Sequence, residues 1–186
     1  MKLDRNTLLS FVLLIVIASL YRAMPGRPWG FAPQIAMAIF GGAVLKNRVF
    51  AFVLPVLSML VSDLLYHVLY LNGIGVIPGF YEGQVSVYLL FAMLTIIGFF
   101  VKPQNVASIA AGSLAGPIVY FLTSNFLVWM GGGGLNRPKT FEGLMMCYAD
   151  GLPFLQNSLY STLFFSALLF GGSYLLKKYV LRQTAL

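Results

Sequence analysis

Asp63 and His67 stand four residues apart inside an otherwise apolar run, VFAFVLPVLSMLVSDLLYHVLYL, from Val49 to Leu71. At that spacing a carboxylate and an imidazole share one face of a helix, and Tyr66 and Tyr70 extend the polar stripe. A run of this length, at about 1.5 Å per residue, crosses the hydrocarbon of a bilayer, where each ionisable side chain costs at least a few kcal/mol. Such groups face a bundle interior or a watery cavity. Two readings follow: the stripe is the wall of a binding site, or Asp63 and His67 pair with each other or lock a neighbouring helix. As catalysts they would form only an acid/base pair with no nucleophile beside them, so the chain is expected not to be an enzyme.

The other side chains able to recognise a solute come later in the chain: Asn125, Trp129, Tyr148, Asp150 and Asn157. Asn125 and Asn157 both donate and accept, which suits substrate recognition and interhelical bonding equally. Asp150 precedes Gly151-Leu152-Pro153, where it could cap a helix beginning there or contact a ligand. Trp129 and the loop aromatics Trp29, Phe80 and Tyr81 could stack on a planar ligand or form an interfacial belt. Cys147 is the single cysteine, either a soft ligand for a metal-containing substrate or a small packed side chain. One cysteine and one histidine exclude an internal disulfide, a multi-cysteine zinc site and an H-E-x-x-H motif. Glycines 131 to 134 lack the Lys-Ser/Thr of a phosphate loop and read as a hinge, and no cofactor is expected.

The elements that position these groups are set by composition. With 59% hydrophobic and 9% charged residues in a chain of 186, the class is an all-α integral membrane protein, a single transmembrane domain over residues 1–186. The net charge of +7 is dispersed in short clusters between apolar runs, which makes it a topology signal and excludes a nucleic-acid partner. Six transmembrane helices are expected: Thr7 to Tyr21, Ala32 to Leu45, Val49 to Leu71, Gln84 to Val101, Val106 to Met130 and Gly151 to Leu176. A short interfacial helix is expected from Phe141 to Tyr148. The first run also has the basic start and small-residue end of a signal peptide, but it is read as a mature helix because Arg22 sits awkwardly for cleavage after Ala23. In the second, Ala32 and Ala36, then Ala38 and Gly42, are small residues four apart; they serve packing within the bundle or docking of a partner membrane protein. Gly112 and Gly116 repeat the spacing in the fifth, and Pro55 should kink the third.

Lys and Arg counts fix the orientation. One side holds Lys2, Arg5, Lys46, Arg48, Lys102, Lys177, Lys178 and Arg182, eight in all; the other holds Arg22, Arg27, Arg137 and Lys139, four. Both termini are therefore expected in the cytoplasm, with three longer loops outside. In that frame Asp63, His67, Tyr70, Asn125, Trp129, Asp150 and Asn157 gather in the outer half, over a small-residue and apolar inner half. That depth pattern predicts a pocket open to the outside.

Six spans, short inner turns and long outer loops resemble the S component, the substrate-binding membrane subunit of energy-coupling factor vitamin transporters. More closely, the chain resembles a family of uncharacterised bacterial membrane proteins related to those subunits in architecture. The residues that carry this are Gly30-Phe31-Ala32-Pro33, Pro55 through Ser62-Asp63, Ser124-Asn125-Phe126 with Trp129, Pro138 to Thr140, Gly143-Leu144, Cys147-Tyr148, Pro153-Phe154 with Asn157, and Leu169-Phe170-Gly171. The resemblance implies a multi-pass protein of the bacterial plasma (inner) membrane that captures a small vitamin-like solute in its outer half. It also implies a membrane partner subunit with ATPases gripping small residues on the inner side. The alternative is a scaffold of the cell envelope, in which the outer polar groups only tie helices together and no small molecule is bound.

Overall fold

The computed structural model describes residues 5–183, all of whose regular structure is helical. The helices are α1 (Arg5–Ala23), α2 (Gln34–Val44), α3 (Arg48–Leu71), α4 (Gln84–Phe99), α5 (Val106–Gly131) and α6 (Phe141–Gln183). Local chemistry sets their ends. The Asn47 side chain accepts from the Val49 and Phe50 amides to open α3, and Asn105 accepts from the Ser108 amide to open α5. Gly132, at φ 74°, closes α5 in the left-handed conformation that glycine adopts without penalty.

α2 is the hub. It packs against α3, α4, α5 and α6, and α1 lies outside α3. Residues Gln34 to Gly42 are all buried, although 11 residues make a rod only about 16 Å long, half the thickness of a bilayer core. Small residues let its neighbours close around it. Gly42 lies against Thr95 and Gly98 of α4, and a Cβ at Gly116 would come within 2.8 Å of Ile39 Cδ1. Ala36 and Ala38 have no solvent exposure and Gly42 is buried, so the expected docking face for a partner is already covered by this chain's own helices. Ala32 is part-buried in the connection just before α2. Two apolar clusters lie around the hub, both flanked by the partly buried Leu14 and Leu169: in one Ile35, Ile39 and Phe40 meet Phe91, Leu94 and Phe170, and in the other Met37 and Leu54 meet Phe11 and Ile15 of α1.

The expected break between an interfacial helix and a sixth span is absent. Gly151 and Pro153 both lie inside α6, which runs unbroken for 43 residues. Proline costs one helical hydrogen bond there, while Gly151 provides the close contact with Phe121 and Asn125 of α5 that holds the two helices together. Asp150 is thus in the middle of a helix and caps nothing.

Among the described residues three helices are long and apolar enough to cross a membrane: α3, α5 and the Phe141–Leu176 stretch of α6. Large apolar side chains also cover the outside of the shorter helices, among them Leu13, Ile17 and Leu20 of α1 and Leu89 and Met93 of α4. An outer surface of this kind is compatible with lipid, since soluble proteins rarely expose contiguous apolar patches above a few hundred Å². The bundle has two chemically different ends. The basic end gathers the starts of α3 and α5 with the ends of α2 and α4, and the loop end gathers the connections 24–33, 72–83 and 132–140.

Candidate functional site

Asp63 is 2% exposed, and every part of its carboxylate is used. Oδ1 pairs with the Arg22 guanidinium at the end of α1. Oδ2 accepts from Gln84 Nε2 at 2.6 Å and from the Tyr88 hydroxyl at 2.7 Å, both on α4. Arg22 also donates to Ser62 Oγ at 2.5 Å, and the Tyr66 hydroxyl returns to the Arg22 carbonyl at 2.5 Å. The connection 72–83 closes over this cluster: Gln84 Nε2 donates to the Gly79 carbonyl at 3.0 Å, and any Cβ at Gly79 would overlap the backbone of Asp63 and His67. In that connection the Tyr81 hydroxyl is held above its ordinary pKa, first by burial and then by the Asp63 charge.

The pairing of Asp63 with His67 does not form. Arg22 occupies the carboxylate, and the His67 ring stands edge-on to Phe80 at 5.2 Å with a buried Nδ1 that has no hydrogen-bond partner. The cluster is a three-helix lock, because α3 supplies one buried acceptor, Asp63, and α1 and α4 supply its donors. A sequence signal for it existed: Arg22 ends the first apolar run and Gln84 begins the fourth.

The remaining expected site residues do not converge on Asp63. Tyr70 is 47% exposed on the outer face of α3. Asn125 donates to its own helix at Phe121 O, 2.9 Å, and its backbone carbonyl accepts from Cys147 Sγ at 3.5 Å. Tyr148 donates to Leu122 O at 3.2 Å, and Trp129 Nε1 to Pro138 O at 2.8 Å. Asn157 donates to Trp29 O at 2.8 Å and so pins the connection 24–33 to α6. Asp150 accepts two bonds from Arg137, at 2.8 and 2.9 Å, in the open. That last pair is screened by solvent, so Arg137→Gln is expected to leave the melting temperature in detergent unchanged. A clear drop would assign the pair a structural role. Among the described residues no three His, Cys, Asp or Glu side chains come together.

A space suited to a ligand lies at the other end of the bundle. α5 and α6 touch closely near Asn125 and Gly151 and part towards the basic end, leaving a groove of about 600 Å³. Its walls include Ile109 and Ser113 of α5 and Leu163, Ser166, Phe170 and Tyr174 of α6, with Gln104 at the mouth. Phe170 packs edge-on against Phe40 of the hub at 5.1 Å and closes the groove towards α2. Ser113 is 0% and Ser166 1% exposed, and neither hydroxyl has a partner. An unsatisfied buried hydroxyl costs about 1–3 kcal/mol, and buried polar groups ordinarily find a partner. None of the side chains expected to bind a solute lines this groove, which lies away from the outer half; of the residues that carry the family resemblance, Phe170 and Gly171 do line it. Its sequence trace is the small-residue pattern at Ala110, Ser113, Ala167 and Gly171, the pattern that also marks close packing.

No curated protein and no solved structure matches the chain. A family model matches residues 2–184, nearly the whole length. The protein therefore belongs to that family, described as a family of unknown function (DUF6580).

Proposed function

We propose that this protein is a multi-pass protein of the bacterial plasma membrane, with six spans and both termini in the cytoplasm, that captures a small apolar or amphiphilic molecule in the groove between α5 and α6. The observation that carries this reading is the groove itself: about 600 Å³, largely apolar, with two buried hydroxyls that lack partners. Its volume is that of a small-molecule site, and its lining of apolar walls with a few polar atoms is what such sites use. The six-span arrangement is supported by the basic residues at one end and by the apolar outer faces of α1, α3, α4, α5 and α6. The likeness to S components contributes architecture alone. Uptake would need a partner that supplies energy, because the chain has no nucleotide-binding motif.

A second reading, an envelope scaffold, is favoured by the Asp63 cluster, whose polar groups bind one another rather than facing a cavity. Native mass spectrometry of the detergent-purified protein separates the two. A stoichiometric small molecule retained in Asp63→Asn and lost when Ala167→Phe fills the groove supports capture. An empty, folded protein that co-purifies with envelope proteins supports the scaffold.

A further inference from the structure

The chemistry at the mouth of the groove defines what would enter it. On α6 the lining residues Leu163, Ser166, Phe170 and Tyr174 follow the helical repeat of three and four, and the same stripe reaches Lys178 one turn beyond Tyr174. From α5 the lining runs to Gln104 and Pro103, with Lys102 next in the chain and exposed. Among the described residues the four carboxylate side chains are Asp63, Glu82, Glu142 and Asp150, none of them at this end. Among the described residues the two lysines therefore fall next to the mouth in sequence and helical register and no acid does, while the walls behind it are largely apolar.

Length adds a second constraint. Eleven residues separate Leu163 from Tyr174, so the groove extends over about 16 Å along α6, the depth of a single leaflet of a bilayer core about 30 Å thick. It is a groove between two adjacent helices, with the buried Ser113 and Ser166 among the residues along its wall.

We propose that the groove takes a single-chain anionic amphiphile, a long-chain carboxylate or monoalkyl phosphate, with its chain between α5 and α6 and its head group at Lys102 and Lys178. This rests on the capture reading above and names its substrate class.

The full-length protein in an uncharged detergent is titrated with hexadecanoate, hexadecyl phosphate, hexadecanol and phosphatidylglycerol, and occupancy is read by native mass spectrometry. Two lysines at a lipid surface favour an anion by about tenfold or more, so both single-chain anions should bind one per chain and outcompete the alcohol by that margin. Lys102→Gln with Lys178→Gln should remove the preference while leaving chain binding. Gly171→Leu should abolish binding of all four probes without unfolding the helix, because a Cβ there meets nothing within 4 Å. Ala167→Phe is the second blocking variant, and thermal melts confirm that both fold. Equal binding of hexadecanol overturns the anionic assignment and leaves the capture reading standing. Tighter binding of phosphatidylglycerol than of hexadecanoate overturns the single-chain assignment in favour of a bound membrane lipid. Failure of every probe to bind, in folded protein, overturns both the substrate class and the capture reading.

Discussion

Asp63→Ala is expected to destabilise the folded protein by about 3–5 kcal/mol, the cost of leaving one member of a buried ion pair without its partner. Arg22, 17% exposed on its side chain, would lose its counter-charge, and Gln84 and Tyr88 would lose the acceptor they share. The melting temperature in detergent should fall sharply, and the loss should be greater than for Tyr66→Phe, which removes a single hydroxyl bond. Asp63→Leu combined with Arg22→Met should recover much of the loss, because replacing both charges by apolar side chains leaves neither one stranded. If the double variant is as unstable as Asp63→Ala, the lock depends on the wider network of Ser62, Tyr66, Gln84 and Tyr88 rather than on the pair. If Asp63→Ala melts like the parent, the lock does not hold the bundle.

Gly42→Leu should also be strongly damaging. α2 and α4 touch there through backbone: a Cβ at Gly42 would stand 2.9 Å from Gly98 Cα and overlap the Thr95 carbonyl. No flexible side chain can move aside, so α4 must shift away from the hub, and overpacking of this kind costs about 1–3 kcal/mol or more. Gly171→Ala supplies the contrast. Open space surrounds that position, and alanine is preferred to glycine in a helix by about 0.5–1 kcal/mol, so a small rise in melting temperature is expected. Thermal melts of the two variants, with size-exclusion profiles to score dispersity, check both directions. A Gly42→Leu protein that melts like the parent would mean that α2 and α4 do not pack through this contact.

The order of helices was legible in the sequence because apolar runs interrupted by Asn, Gly, Pro and basic residues leave the backbone few alternatives. Asn47 and Asn105 open α3 and α5 next to the basic turns that preceded those runs, and Gly132 ends α5 at the start of the glycine hinge. α6 was the exception. Gly151 and Pro153 look like a boundary in a sequence, and they remain helical because packing on Phe121 and Asn125 of α5 outweighs one lost hydrogen bond.

The sequence by itself determined that Asp63, an ionisable group inside a long apolar run, turns away from lipid towards the bundle interior or a watery cavity. Only the tertiary structure decided its partners. Arg22 and Gln84 lie 41 and 21 residues away from it, and periodicity within one helix carries no information about which neighbour is adjacent. The same limit governed the groove. Small residues at helical spacing state that two backbones can approach, and they do so at Gly42 and Gly98. At Ala167 and Gly171 the same residue types border open space, because the crossing of α5 and α6 is fixed further along, at Asn125 and Gly151, and the two helices diverge from there.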